Sequence, residues 1–210
     1  MNSKRLLSVA SFIDNNDKLI DVGCDHGYLG IYLKKNNKCK DLLLTDLRES
    51  ALSNAINNIK KYNLDIKVLK TDGLNNIDLD KYNCISICGM GTSNIIDILS
   101  KLKNNNSIKK LIIQSNNDLD ILRKNINNLG YNLDDEITIK ENDIFYVICK
   151  FVKSNKKLDN NTILFGINKE DKKEYYHYLL DYYNNILDKI PLDNKDREDI
   201  IQKINIIEKM

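Results

Sequence analysis

The sequence predicts an α/β protein: a mainly parallel sheet covered by helices on both faces, with an α-helical hairpin appended after the last strand. Three observations predict it. Short apolar runs of strand length alternate with segments whose apolar residues recur every three or four positions, the pattern of successive βαβ units. Each predicted strand runs out into a polar or glycine-rich stretch. The last two runs, 134–140 and 144–152, face each other across "KEND", a connection of hairpin length, so this edge of the sheet turns antiparallel.

In chain order, Leu6, Val9, Ala10 and Ile13 share one helical face, which predicts a short helix over 3–13 ahead of the main fold. Strands follow at 18–22, 41–45, 66–70, 84–88 and 110–114, with helices between them at 28–36, 48–62, 93–103 and 118–129. Two helices are well marked. Leu52, Ala55, Ile56 and Ile59 stripe the one at 48–62; Leu119, Leu122, Ile126 and Leu129 stripe the one at 118–129, which Gly130 ends as a C-terminal cap. The polar stretch "KSNKKLDNN" at 153–161 breaks the alternation. Beyond it Tyr176, Leu179, Tyr183, Ile186 and Ile190 recur at coiled-coil spacing; after "PLDN" the spacing resumes with Ile200, Ile204 and Ile207. The expected division is therefore a main domain over 1–154 and a helical hairpin over 155–210.

Composition bounds the reading. A chain of 210 residues, 42% hydrophobic and 30% charged, suits one globular domain with a small appendage. The net charge is only +2; residues 155–210 hold ten Lys and Arg against eleven Asp and Glu, and the remainder 22 against 19. Any affinity for nucleic acid must therefore come from local patches. Cys24, Cys39, Cys84, Cys88 and Cys149 form no metal-type cluster and read as small buried hydrophobes in a reducing compartment. The N-terminus lacks a signal-type apolar run and no segment reaches bilayer length, so a cytoplasmic protein without membrane contact is expected; no metal and a monomeric state are expected besides.

Ligands of such sheets sit at the carboxyl ends of the strands, near the point where strand order reverses. The first strand runs into "DVGCDHGYLG", with Asp21, Gly23, Asp25, His26, Gly27 and Tyr28; the second ends at Asp46-Leu47. The third is followed by "TDGL", with Asp72 and Gly73, the fourth by Gly89-Met90-Gly91, and the fifth by Gln114 and Asn116. A dinucleotide loop of the G-x-G-x-x-G type offers free backbone N–H groups to a diphosphate. This loop offers the carboxylates of Asp21 and Asp25, which repel phosphate and suit a cationic ligand. S-adenosylmethionine fits, because its ammonium and sulfonium favour carboxylates and glycines admit its methionine end. Asp46 is placed to accept from both ribose hydroxyls and Asp72 from the adenine amine. Taken singly each has a plainer reading: Asp46 could cap the helix starting at "LRESA", Gly89 and Gly91 could be turn glycines, and His177 could simply pack.

With Ser3-Lys-Arg-Leu6, "DVGCDHGYLG", "TDGL", "CGMG" and "LIIQSN" in this order, the chain resembles the bacterial tRNA (adenine-22, N1)-methyltransferases, the TrmK family. The resemblance spans nearly the whole length. Cys24, Gly27, Asp46, Thr92 and Ser115 depart from the usual family residues while conserving size or charge. It implies a Rossmann-like class I S-adenosylmethionine-dependent methyltransferase that acts on N1 of an adenosine in the D-arm region of tRNA. The alternative is a methyltransferase of another RNA or a small molecule with the same cofactor pocket. In the implied chemistry Asp25, His26 and Asn116 are the catalytic candidates. Either Asp25 accepts from the adenine N6 amine, with His26 holding Asp25 or the ribose or relaying a proton and Asn116 a second candidate for the base edge, or Asp25 binds the cofactor ammonium and Asn116 alone reads the base. The resemblance also places Lys4 and Arg5 of the first helix near the site entrance, where they either clamp tRNA phosphates or are simply solvated. It makes Tyr28 a candidate for RNA contact. The outward tyrosines of the hairpin are candidates for stacking on bases.

Overall fold

A computed structural model of the chain describes residues 3–169 and 172–210. Helix α1 (Lys4–Ser11) starts where the Ser3 hydroxyl accepts the Leu6 N–H, and it buries Val9 and Ala10. Then follow β1 (Lys18–Val22), α2 (Tyr28–Lys35), β2 (Asp41–Asp46), α3 (Glu49–Lys61), β3 (Lys67–Lys70), β4 (Cys84–Met90), α4 (Thr92–Leu99), β5 (Lys110–Ser115), α5 (Leu119–Asn128), β6 (Tyr131–Glu141) and β7 (Ile144–Lys153). The sheet order is β3-β2-β1-β4-β5-β7-β6. The first five strands in that row are parallel, and β7 runs antiparallel to both its neighbours. Strand order reverses between β1 and β4, which opens a crevice above their carboxyl ends.

The central strands are apolar on both faces because both faces are covered. Ile20, Ile85, Ile87 and Ile113 pack with Leu99, Leu122 and Ile126 on one side; Leu19, Leu44 and Ile112 pack with Ile31, Leu52, Ala55 and Val9 on the other. This double wall holds the five strand exits in fixed register beside one another.

Two elements depart from expectation. Strand β6 begins at Tyr131, three residues before the predicted start. A register shift between Leu133 and Asp135 breaks the two-residue alternation there, and Tyr131 is fixed instead by its hydroxyl donating to the Ile108 carbonyl at 3.1 Å. Between the polar break and the hairpin stands an unexpected short helix, α6 (Asn160–Phe165), which starts in the last two residues of the break; its Asp159 cap accepts from the Thr162 N–H at 2.9 Å while Phe165 is buried.

The C-terminal hairpin consists of α7 (Lys173–Lys189) and α8 (Asp196–Ile207), with Tyr176 and Ile207 buried against Phe165. A buried ionic cluster ties this region to the sheet. Glu136 of β6 accepts from Arg123 of α5 at 3.2 Å, from the Ile167 N–H at 3.0 Å and from Lys172. Arg123 also donates to the carbonyls of Ile163 and Leu164. Burial, reinforced by Arg123, pushes the Lys172 ammonium down to about 7. The rings of Tyr175 and Tyr178 lie against Phe145 of β7, 5.4 and 5.2 Å between centroids. No helix among the described residues is long and apolar enough to cross a membrane.

Candidate active site

The turn after β1 is held by its own backbone. Gly23 and Cys24 donate their N–H groups to the Thr45 carbonyl at 2.8 and 2.9 Å, Asp25 to the Asp46 carboxylate at 3.2 Å, and Gly27 to the Cys24 carbonyl at 2.8 Å. A phosphate-binding loop keeps such donors free for its ligand. Here four of them are consumed by the protein, so what the loop presents outward is side chain. Gly23 has φ of 73°, and an added Cβ would stand 2.2 Å from the Met90 Cε. Gly27, with φ of 72°, faces Ala55 and Leu44 and lets α2 approach α3.

Above the crevice lies a cavity of about 1000 Å³. It gathers residues from every parallel strand exit except that of β5: Asp21, Gly23, Asp25, His26 and Tyr28 from the first, Asp46 and Leu47 from the second, Asp72 and Gly73 from the third, and Gly89, Met90 and Gly91 from the fourth. Arg5 reaches in from α1. Gly27, Lys4 and Asn116 do not line it. Lys4 has an exposed side chain, and its N–H donates to Glu141 at 2.6 Å.

The acids differ in their surroundings. Asp21 is only 5% exposed and accepts from the Ser86 hydroxyl at 2.7 Å. Burial pushes its carboxyl up to about 6; the Ser86 bond opposes this and the neighbouring Asp46 charge adds to it. For Asp46 burial also acts upward. It is outweighed by donors from Arg48 (N–H at 2.9 Å, Nε at 3.3 Å) and by the Asp25 N–H, so its carboxyl stays below the usual range. Asp25 has φ of 50°, which aims its side chain out of the turn; one oxygen lies 3.3 Å from Arg48 Nη2 and the other 3.5 Å from His26 Nε2. The His26 ring stacks on Tyr28 at 5.6 Å and 19°. Asp72 is exposed on the cavity wall. Burial, then the Asp21 charge, pushes the Cys88 thiol up to about 12, so it stays protonated and inert beside the acids.

At the fifth strand exit the carboxamides form a brace. Gln114 Oε1 accepts the Gly89 N–H at 3.1 Å and faces Arg5 Nη1 at 3.4 Å; its amide donates to Asn116 Oδ1 at 3.1 Å, and Asn116 Nδ2 donates to the Gly89 carbonyl at 2.9 Å. The Arg5 guanidinium also rests over Tyr146, 5.2 Å from the ring centre. Neither Ser86 nor Arg48 stands out in the sequence as a site residue: Ser86 is marked only as the one hydroxyl inside the apolar run "CISIC", and Arg48 reads as the first residue of an ordinary helix. Among the described residues no group of three or more His, Cys, Asp or Glu could hold a metal ion.

A profile described as the methyltransferase domain matches residues 2–149. The chain is 32% identical over 149 residues to the tRNA (adenine(22)-N(1))-methyltransferase of Bacillus subtilis, spanning 70% of this chain and 63% of that one. Among solved structures it is similar to TrmK of M. capricolum in complex with S-adenosyl-homocysteine, with a TM-score of 0.86 and 31% identity over 100% of this chain and 97% of that one. A Streptococcus pneumoniae protein solved with S-adenosyl-L-methionine gives a TM-score of 0.84 at 29% identity, covering 100% and 99% of the two chains.

Proposed function

The chain belongs to the TrmK family of S-adenosylmethionine-dependent tRNA (adenine-22, N1)-methyltransferases, and from that premise we propose how its residues divide the work. The reaction transfers a methyl group to N1 of adenosine 22 in tRNA.

The residues present fit the cofactor. The cradle at Gly23, which a Cβ would fill, and the acid-lined wall suit a ligand with cationic and hydroxyl groups and no phosphate. Asp21 would take the ammonium, Asp46 the ribose hydroxyls and Asp72 the adenine amine, with Leu47, Met90 and the glycines at 73, 89 and 91 shaping the walls. When bound, S-adenosylmethionine supplies an electrophilic methyl on its sulfonium. A volume of about 1000 Å³ lies at the upper end of small-molecule sites, which leaves room for an entering base as well.

Adenine N1 carries an in-plane lone pair, so the protein need not create the nucleophile. It must free the base from pairing and hold N1 about 3–3.5 Å from the methyl carbon, in line. Asp25, at the cavity mouth, accepts from the N6 amine; this orients N1 and offsets the positive charge that grows on the ring. His26 steadies Asp25 and is itself steadied by Tyr28. Asn116 braces the Gly89 turn, donating to the Gly89 carbonyl and accepting from Gln114, and it stands outside the cavity lining, so the base falls to Asp25. Arg5 marks the tRNA side of the entrance, with Lys4 beside it. A tRNA substrate supports action in the cytoplasm.

The observation that carries this reading is the acid-lined crevice whose loop N–H groups are already spent. Its test is incubation with methyl-labelled S-adenosylmethionine and unmodified tRNA, followed by mapping of the labelled base. Label on N1 of adenosine 22 is the expected result; label on any other nitrogen, or transfer only to a small molecule, overturns the assignment.

A further inference from the structure

Arg48 is a side chain that the proposed chemistry leaves without a role, although it lines the cavity. It follows Asp46 by two residues and leans back over the mouth, with 64% of its side chain exposed. Its Nε lies 3.3 Å from Asp46 Oδ1 and its Nη2 3.3 Å from Asp25 Oδ1, so the guanidinium bridges two of the site's acids.

The acceptor count at Asp46 gives this bridge a consequence. Oδ1 already accepts the Arg48 backbone N–H at 2.9 Å, and the guanidinium takes its second lone pair. Oδ2 accepts the Asp25 N–H at 3.2 Å and has one position left. A ribose offering two hydroxyls needs one acceptor on each oxygen. One is open; the other is held by Arg48. Ribose and guanidinium therefore contend for a single lone pair.

Release of the guanidinium matters because the cavity lining is otherwise acidic. Its cations are Arg5 and Arg48; Arg5 is engaged by Gln114 and Tyr146. A polyanion approaching a chain of net charge +2 gains little from the overall field. While Arg48 spans Asp25 and Asp46 its charge is locally cancelled. Displaced from Asp46, it projects from an exposed position beside the mouth, where a fork of N–H donors matches a phosphate.

We infer that Arg48 is a positioning residue that couples the two substrates: cofactor ribose displaces it from Asp46, and the freed guanidinium takes a phosphate of the tRNA. Cofactor binding and tRNA binding are then mutually reinforcing, as linkage requires. The coupling is modest, because an exposed ion pair is a weak competitor. The inference rests on the assignment of Asp46 to the ribose.

The test separates the two levels by titration calorimetry and RNA binding. Asp46→Asn is measured first with S-adenosyl-homocysteine; unchanged affinity there refutes the ribose assignment itself. Given that assignment, Arg48→Gln, which keeps the backbone bond to Asp46, binds adenosine and S-adenosyl-homocysteine about two- to fivefold more tightly than wild type. Adenosine is neutral, so tightening there reports competition and not relief of charge repulsion. In wild type, saturating S-adenosyl-homocysteine strengthens binding of an unmodified tRNA transcript and steepens its salt dependence by roughly one phosphate contact. In Arg48→Gln both changes vanish. Unaltered adenosine affinity in Arg48→Gln, or wild-type tRNA binding indifferent to S-adenosyl-homocysteine, overturns the coupling while leaving the ribose assignment intact.

Discussion

Replacing Asp21 with Asn makes the protein more stable at neutral pH and worse at its task. The carboxyl is 5% exposed, and burial holds it at about 6 against an ordinary value of 3.8. Below about pH 4 the group is protonated in both folded and unfolded chains and contributes no difference. Between about pH 4 and 6 the unfolded chain releases its proton first, so folding loses stability as pH rises; above about 6 the loss is complete. The gap between 3.8 and about 6 corresponds to about 3 kcal/mol. Asn is isosteric and still accepts from Ser86, but it buries an amide that needs a partner, which returns about 1 kcal/mol. The net gain is about 2 kcal/mol at pH 7.5, or about 4–8 °C in Tm for a chain of this size. It is gone between about pH 4 and 5, and below that, where wild type is itself neutral, the Asn variant is about 1 kcal/mol the less stable. Calorimetric melts above and below that crossing read this difference. A cationic ligand needs the ionised form, so wild-type affinity for S-adenosylmethionine falls about tenfold between pH 7.5 and 5, whereas the Asn variant binds at least tenfold more weakly at pH 7.5 and is flat with pH. An Asn variant no more stable than wild type at pH 7.5, or a difference that does not change with pH, refutes the reasoning.

Three further outcomes are expected. Asp25→Ala lowers kcat about a hundredfold with little change in the Kd of S-adenosyl-homocysteine; near-full turnover at unchanged cofactor affinity removes Asp25 from the chemistry. Gly23→Ala forces a methyl into a left-handed backbone and toward Met90, so denaturant unfolding shows a loss of about 1–2 kcal/mol and calorimetry a drop of at least about tenfold in cofactor affinity. Glu136→Gln strands the Arg123 cation in the interior and takes from Lys172 its carboxylate, at about 3–5 kcal/mol, while Lys172→Met, which leaves the Arg123–Glu136 pair intact, stays within about 1 kcal/mol of wild type. Equal losses in urea melts of the two variants contradict a cluster centred on Glu136.

The alternation of apolar runs and helical stripes, the antiparallel edge at "KEND" and the C-terminal hairpin could be read from sequence because each rests on local periodicity. The acidic character of the rim could be read too, since Asp21, Asp25, Asp46 and Asp72 each stand within a few residues of a strand's end. Departures arose where side chains answer to distant partners. Tyr131 starts a strand through Ile108, and α6 needs Phe165 in a pocket built by later helices. Asn116 looks like a base reader until it is seen bracing Gly89 and Gln114 outside the cavity lining. Ser86 and Arg48 acquire meaning only beside Asp21 and Asp46. Periodicity encodes which face of an element is buried, and that much one dimension can carry. Which oxygen a donor satisfies, how far a carboxyl is pushed from its ordinary pKa, and which charge competes with a ligand depend on separations between residues far apart in the chain, which folding alone sets.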